Sequence, residues 1–238
     1  MKTLNLQKYD QKKAEVSYFL DILQKFDKYS KKNGGKIYFK KEKFVFEDYF
    51  KMLRSSFILI LYSYIESSIS LFMEEIYRHL EIQQVQYSLA TDNLKEVYLR
   101  SLFLDTLQKD SSYNTYENKA LSLVKEAIED KNICLTISKL ELAGNIDSKQ
   151  ILNIWKKHGI RFNSSSRSQD NNGEFSIDNI KLERNALAHG RENFVKTGGK
   201  FSTKDLTNYF IEISKLLDDL KKSVEQYIIE KEYLKNKE

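Results

Sequence analysis

The chain of 238 residues contains no proline, one cysteine, three histidines and 8 glycines. Without proline, and with so little glycine, it has few backbone breakers, which favours long helices over a turn-rich all-β fold. The single Cys134 excludes an internal disulfide framework and fits a reducing compartment. With no activating partner nearby in sequence, Cys134 reads as a core thiol. Three scattered histidines and one cysteine offer no metal-ligand spacing, so no metal or other cofactor is expected. Gly34-Gly35 and Gly198-Gly199 are turn material rather than a phosphate-cradling loop, and no nucleophile elbow is present. The polar, lysine-bearing start predicts no signal peptide. The most apolar stretch, Phe57 to Met73, carries Glu66 at its centre and is short for a membrane span, so it reads as a buried core helix. A cytoplasmic protein with no membrane association is the expectation.

What is present in quantity is charge and aromatic surface. There are 39 Lys and Arg against 34 Asp and Glu, 15 Tyr and 14 Phe, with 41% hydrophobic residues. That composition supports a real core, and the net charge of +5 permits an anionic partner without demanding one.

Helical periodicity organises most of the chain. The first helix is predicted from about Gln7 to Lys32, with Val16, Phe19, Leu20, Leu23 and Phe26 at helical spacing. Asn33-Gly34-Gly35 breaks it, and 36–46 reads as either a short β-hairpin arm or an irregular linker. Glu47 to about Gln86 predicts a long helix, apolar on nearly every side between Phe57 and Ile65, as befits the middle of a bundle. Shorter helices are expected over about 94–108, 118–130 and 148–158, the last ending at Gly159. Asn163 to Gly173, rich in Ser and Asn, is the candidate mobile loop. Ser176 or Asp178 is the expected cap of the next helix, which stops at Gly190, and Thr197-Gly198-Gly199 reads as another break. The final helix, about Thr203 to Leu234, places Leu206, Phe210, Ile213, Leu217, Leu220, Val224 and Tyr227 on an a/d seam. That seam suits either the core or a second copy of the chain. The fold class is therefore all-α, an up-and-down bundle of long antiparallel helices. Its expected organisation is a single globular unit with an N-terminal helix and linker, 1–46, packed on a main helical domain, 47–238.

Chemistry concentrates in Arg184-Asn185-Ala186-Leu187-Ala188-His189-Gly190. Arg holds phosphate through a planar fork of donors, and His moves protons near neutral pH. With seven Arg and three His in the chain, an Arg-x4–6-His spacing arises by chance about one time in four. A His before a helix-ending glycine is also ordinary, as His158-Gly159 illustrates. Position distinguishes Arg184: on an ideal helix it shares a stripe with Ile177, Ile180 and Ala188, while Asn185 and His189 stack on the adjacent face. An Arg on an inward stripe requires a carboxylate or phosphate. Glu66, mid-helix beside Leu59, Tyr62 and Met73, is the expected internal partner of Arg184 or His189, the alternatives being Arg78, a lysine, or a locally solvated carboxylate. Lys181, Arg191, Lys196, Lys200 and Lys204 are candidates to track an RNA backbone, and Phe194 to stack a base, in a patch diluted by Glu183, Glu192 and Asp205.

The Arg-Asn-x-x-Ala-His-Gly run at a helix end, followed by a basic loop and a long final helix, resembles the HEPN superfamily, and within it the bacterial stand-alone HEPN proteins of defence and toxin–antitoxin loci. Leu61-Tyr62-Ser63-Tyr64-Ile65-Glu66, and the stretch from Gly144-Asn145-Ile146 to Lys157-His158-Gly159-Ile160, fit the same group. The resemblance covers roughly Glu47 to Leu234. It implies a homodimeric helical bundle with two motifs in one cleft and metal-independent endoribonuclease activity. Carried over, Arg184 would hold the scissile phosphate, His189 would transfer protons and Asn185 would orient either of them, giving 2′,3′-cyclic phosphate and 5′-hydroxyl ends. A cognate antitoxin or a defence-complex protein is the further partner implied. The rival reading is a non-catalytic HEPN adaptor or regulatory subunit; a nucleotide-binding regulator is a third, for which no phosphate loop is present.

Overall fold

The second helix organises the molecule. In the computed structural model, which describes residues 7–32, 37–39, 42–44, 46–104, 113–140, 146–162 and 172–235, α2 runs unbroken for 37 residues, Phe46–Ile82. Its middle is apolar all round, and Phe57, Ile58, Leu61, Tyr64 and Ile65 are fully buried. Four helices cover it: α1 (Gln7–Lys32), α6 (Asn172–Ala188), α7 (Phe194–Gly199) and α8 (Thr203–Ile229). By length and composition α2 could cross a membrane, but most of its apolar window is buried inside the protein. The fold is all-α, apart, among the described residues, from one antiparallel hairpin pairing β1 (Ile37–Phe39) with β2 (Glu42–Phe44).

Helix α1 buries Tyr9, Val16, Leu20 and Leu23. The Tyr9 hydroxyl donates to Asp218 at 2.6 Å and accepts from Tyr64, and Lys13 reaches the other oxygen of Asp218 at 2.6 Å. These bonds stitch the first helix to α8 and α2. The a/d seam of α8 turns inward: Leu206, Ile213, Leu217, Leu220, Val224 and Tyr227 are all fully buried, with Phe210 packed beside them. The core, not a second copy, takes that stripe. Helix α3 (Asp92–Leu104), α4 (Tyr113–Ile128) and α5 (Ser148–Lys157) flank this assembly. Trp155 on α5 docks onto α8 through Nε1, which donates to Ser223 at 2.8 Å.

Several helix ends differ from the periodic reading for one shared reason. Helices α2, α4 and α8 end at Ile82, Ile128 and Ile229, earlier than expected. After each, a non-glycine residue takes the left-handed conformation: Gln84 (φ 50°), Asp130 (φ 51°) and Lys231 (φ 50°). The next amide then donates back five residues, Val85 to Leu80, Lys131 to Glu126 and Glu232 to Tyr227. These are Schellman turns without glycine, each costing roughly 1–2 kcal/mol of backbone strain. Beyond the last, Tyr233 and Leu234 fold back on Ala90 and Thr91 instead of extending α8.

Three further expectations are corrected. Thr197-Gly198-Gly199 is not a break but the end of α7, which lies flush on α2; a Cβ on Gly198 would stand 1.7 Å from the Lys51 carbonyl oxygen. Ser176 and Asp178 do not cap α6, which begins at Asn172; they lie inside it and bond to neighbouring helices. Cys134 is exposed rather than in the core, because extended backbone there turns Ile133 inward and its neighbour outward. The candidate mobile loop, Asn163 to Gly173, lies outside the described residues up to 171.

Candidate functional site

The site is built where α6 meets the middle of α2 and the start of α5. Ile177 and Ile180 face the core with no exposure, fixing the rotation of α6. Polar residues on a neighbouring face then bind the N-terminus of α5. The Asp178 carboxylate accepts from Ser148 N and Oγ, both at 3.0 Å. Asp147, the N-cap of α5, accepts from Gln150 N at 2.7 Å and from Lys181 Nζ at 2.7 Å. Burial pushes the Asp147 carboxyl up, but the Lys181 ammonium and the Gln150 amide outweigh it and hold it below the ordinary range.

One turn beyond this clamp, Arg184 leaves the buried stripe. Its guanidinium carbon lies 4.6 Å from the centroid of the Tyr62 ring, and Nη1 donates to Asn185 Oδ1 at 2.9 Å. The aromatic face attracts the cation and shields one of its faces. Tyr62 is itself fixed, almost fully buried, with its hydroxyl accepting from Ile146 N at 2.8 Å. Burial raises the phenol above its ordinary value; the Ile146 amide draws it down, Glu66 raises it and Arg184 lowers it. Glu66, one turn along α2 and half-buried, therefore acts on the same phenol as Arg184. The competing cation Arg78 pairs with Glu75, Nε donating at 3.1 Å.

Helix α6 then ends in a Schellman turn. Gly190 N donates to Leu187 O at 3.1 Å and Arg191 N to Ala186 O at 2.9 Å, with Gly190 at φ +65°. His189 is the last residue before that turn and is exposed, as is Ala188, so the inward stripe stops at Arg184. A Cβ on Gly190 would meet nothing within 4 Å; glycine serves the left-handed φ, not a tight space.

His158 occupies the same position before Gly159 but has the opposite environment. It is 1% exposed. Its Nδ1 lies 2.8 Å from the Ile154 carbonyl, which only accepts, so Nδ1 donates; neutral Nε2 then accepts from the Tyr77 hydroxyl at 2.8 Å. Burial pushes its pKa down to about 4, against an upward pull from the Ile154 carbonyl and a further push down from Lys157.

The basic residues around the motif divide. Lys181 is paired with Asp147, Lys196 with Glu192 at 2.9 Å and Lys200 with Glu183 at 2.9 Å. Arg191 and Lys204 are exposed. Phe194 opens α7 partly exposed, and its carbonyl accepts from Ser55 Oγ at 2.5 Å. Sequence reasoning quoted Tyr62 but gave it no part; its place four residues before Glu66, on one face of α2, was the available signal. Asp147 and Asp178, which position the two helices, carried no such signal.

A model of the HEPN_MAE_28990-like HEPN family matches residues 1–233, including the first 46 residues that the motif-based resemblance left out. No curated protein and no solved structure gives a match. The helical architecture, the Arg184-to-Gly190 helix end and a match over nearly the whole length agree: this chain belongs to the HEPN_MAE_28990-like HEPN family.

Proposed function

We propose that the protein is a metal-independent endoribonuclease whose complete site forms between two copies of the chain, and that it acts as a toxin or phage-defence effector. The observation that carries this reading is the arrangement of Arg184 and His189: a cation held half-buried on Tyr62, and an exposed imidazole one turn on at the helix end. Leu182, Asn185 and His189 fall on one face of α6, and Leu182 is 65% exposed. Because the α8 seam is spent in the core, that face is the one we assign to the partner copy. Two facing motifs then supply two His189 imidazoles.

In this reaction the ribose 2′-oxygen attacks phosphorus, its proton passing to one imidazole. The P–O5′ bond breaks, and the leaving oxygen takes a proton from the other, giving a 2′,3′-cyclic phosphate and a 5′-hydroxyl. Arg184 neutralises the charge that builds on the phosphoryl oxygens, and Asn185 orients the phosphate or the ring. A cognate antitoxin or defence-complex protein would hold the activity in check.

The test is cleavage of RNA by purified protein in EDTA, with product ends identified by mass spectrometry. Arg184→Ala and His189→Ala are each expected to abolish cleavage while the dimer persists, and DNA of the same sequence to resist, since it lacks the 2′-hydroxyl. Cleavage that needs a divalent metal, or survives both substitutions, removes this mechanism. A well-folded wild-type protein that cleaves no RNA favours the non-catalytic HEPN adaptor.

A further inference from the structure

A second feature shares no lining residue with the motif. A groove of about 1000 Å³ opens between the C-terminal part of α1, the first turns of α2 and the turn joining α7 to α8. Five cations line it: Lys28 and Lys31 from α1, Arg54 from α2, and Lys200 and Lys204 flanking the start of α8. Asp27 and Asp205 in the groove, and Glu183 just outside it, offset three of them, leaving a surplus of two positive charges. Asp27 is taken by Lys31 at 2.5 Å and Arg54 at 3.6 Å, and Asp205 by the capping box with Ser202. Lys28 and Lys204 are exposed, and neither forms a salt bridge among the described residues, although Lys204 lies close enough to help hold Asp205 ionised. Arg54 is preset by the Phe50 ring, 4.2 Å away. On the groove wall, the nearly buried Thr203 hydroxyl has no hydrogen-bond partner among the described residues.

We infer that this groove binds the phosphodiester backbone of single-stranded RNA, extending the substrate path from the cleavage site onto the N-terminal helix. The inference rests on the endoribonuclease reading for its choice of polyanion. Three observations carry it. The cations come from three separated segments yet line one open groove, which suits a chain of phosphates better than a single compact anion. The surplus charge resides on Lys28 and Lys204, one on each wall. The groove is also joined to the motif helix, because Lys200 on its edge bonds Glu183, the residue before Arg184. It gives α1 a part in function beyond packing.

The experiment uses nuclease-dead His189→Ala protein and a fluorescent single-stranded RNA, with binding followed by anisotropy across a salt series. Neutralising both lysines, Lys28→Gln with Lys204→Gln, should weaken binding about tenfold at 0.1 M salt and reduce the salt slope by about 1.4, the value for two lost contacts to a single strand. Lys215→Gln with Lys222→Gln removes the same net charge from elsewhere on α8 and should change neither. Unchanged binding in the groove variant, or an equal loss in both doubles, overturns the proposal. Because the probe is binding without cleavage, a protein that binds RNA through the groove yet never cuts it would refute the nuclease reading and leave the groove standing.

Discussion

Arg184 lies over the ring of Tyr62, 4.6 Å from its centroid, and the phenol beneath it is pinned by the amide of Ile146. Three sequence segments far apart in the chain thus converge on one cation. The ring face attracts the guanidinium while leaving it charged.

Tyr62 is accordingly expected to position Arg184 rather than to touch substrate. Tyr62→Phe keeps the stack but leaves the Ile146 amide unsatisfied, costing about 1–3 kcal/mol of stability with kcat largely retained. Tyr62→Leu removes the platform and should lower kcat roughly 10- to 100-fold with little change in KM. A leucine variant with wild-type kcat, measured below its melting point, would show that the stack is irrelevant to catalysis.

The exposed face of α6 gives a prediction about assembly. Leu182→Lys should yield a folded monomer, because the side chain contributes little to the core, and RNA cleavage should fall with the dimer fraction measured by light scattering. A fully active monomer would separate the site from any partner copy.

Two glycines should fail differently when changed to alanine. At Gly198 the new methyl would meet backbone of α2, so a loss of about 3 kcal/mol or more is expected by urea unfolding. At Gly190 the space is free and only the left-handed φ is penalised, roughly 1–2 kcal/mol. Equal losses would contradict the close approach of α7 to α2.

His158 makes stability depend on pH. Its folded pKa, about 4, lies below the ordinary histidine value, so the unfolded chain binds the proton more tightly. Its contribution is intact above about pH 6.5 and is lost as pH falls toward 4, by roughly 3 kcal/mol at most. The melting temperature should drop across that window, and His158→Gln, though less stable at pH 7.5, should show a shallower drop. Identical pH profiles would assign the loss to other groups. Asp147 and Asp205, both held below the ordinary carboxylate range, give way at more acidic pH.

Much of the fold was legible as periodicity. The span of α1, the buried middle of α2 and the seam of α8 follow from where apolar residues recur. The C-terminal ends of helices were legible where glycine followed them: at Lys32 before Asn33-Gly34-Gly35, and at Gly159 and Gly190. The turns at Gln84, Asp130 and Lys231 use the same geometry, and nothing in those residue types announces a left-handed φ. The motif residues could be named in advance, but not their surroundings. Lys181, Lys196 and Lys200, expected to face RNA, are engaged by carboxylates at sequence distances from 4 to 34 residues.

What the sequence determined by itself is which segments are helical and which side chains can carry phosphate and proton chemistry, because both are local properties of residue type and spacing. Tertiary structure decided the rest: that the α8 stripe is buried rather than shared, that His158 is sealed while His189 is open, and that Arg184 rests on an aromatic ring. Those outcomes depend on which helices meet, and long-range packing sets burial, pairing and charge only after the chain has closed on itself.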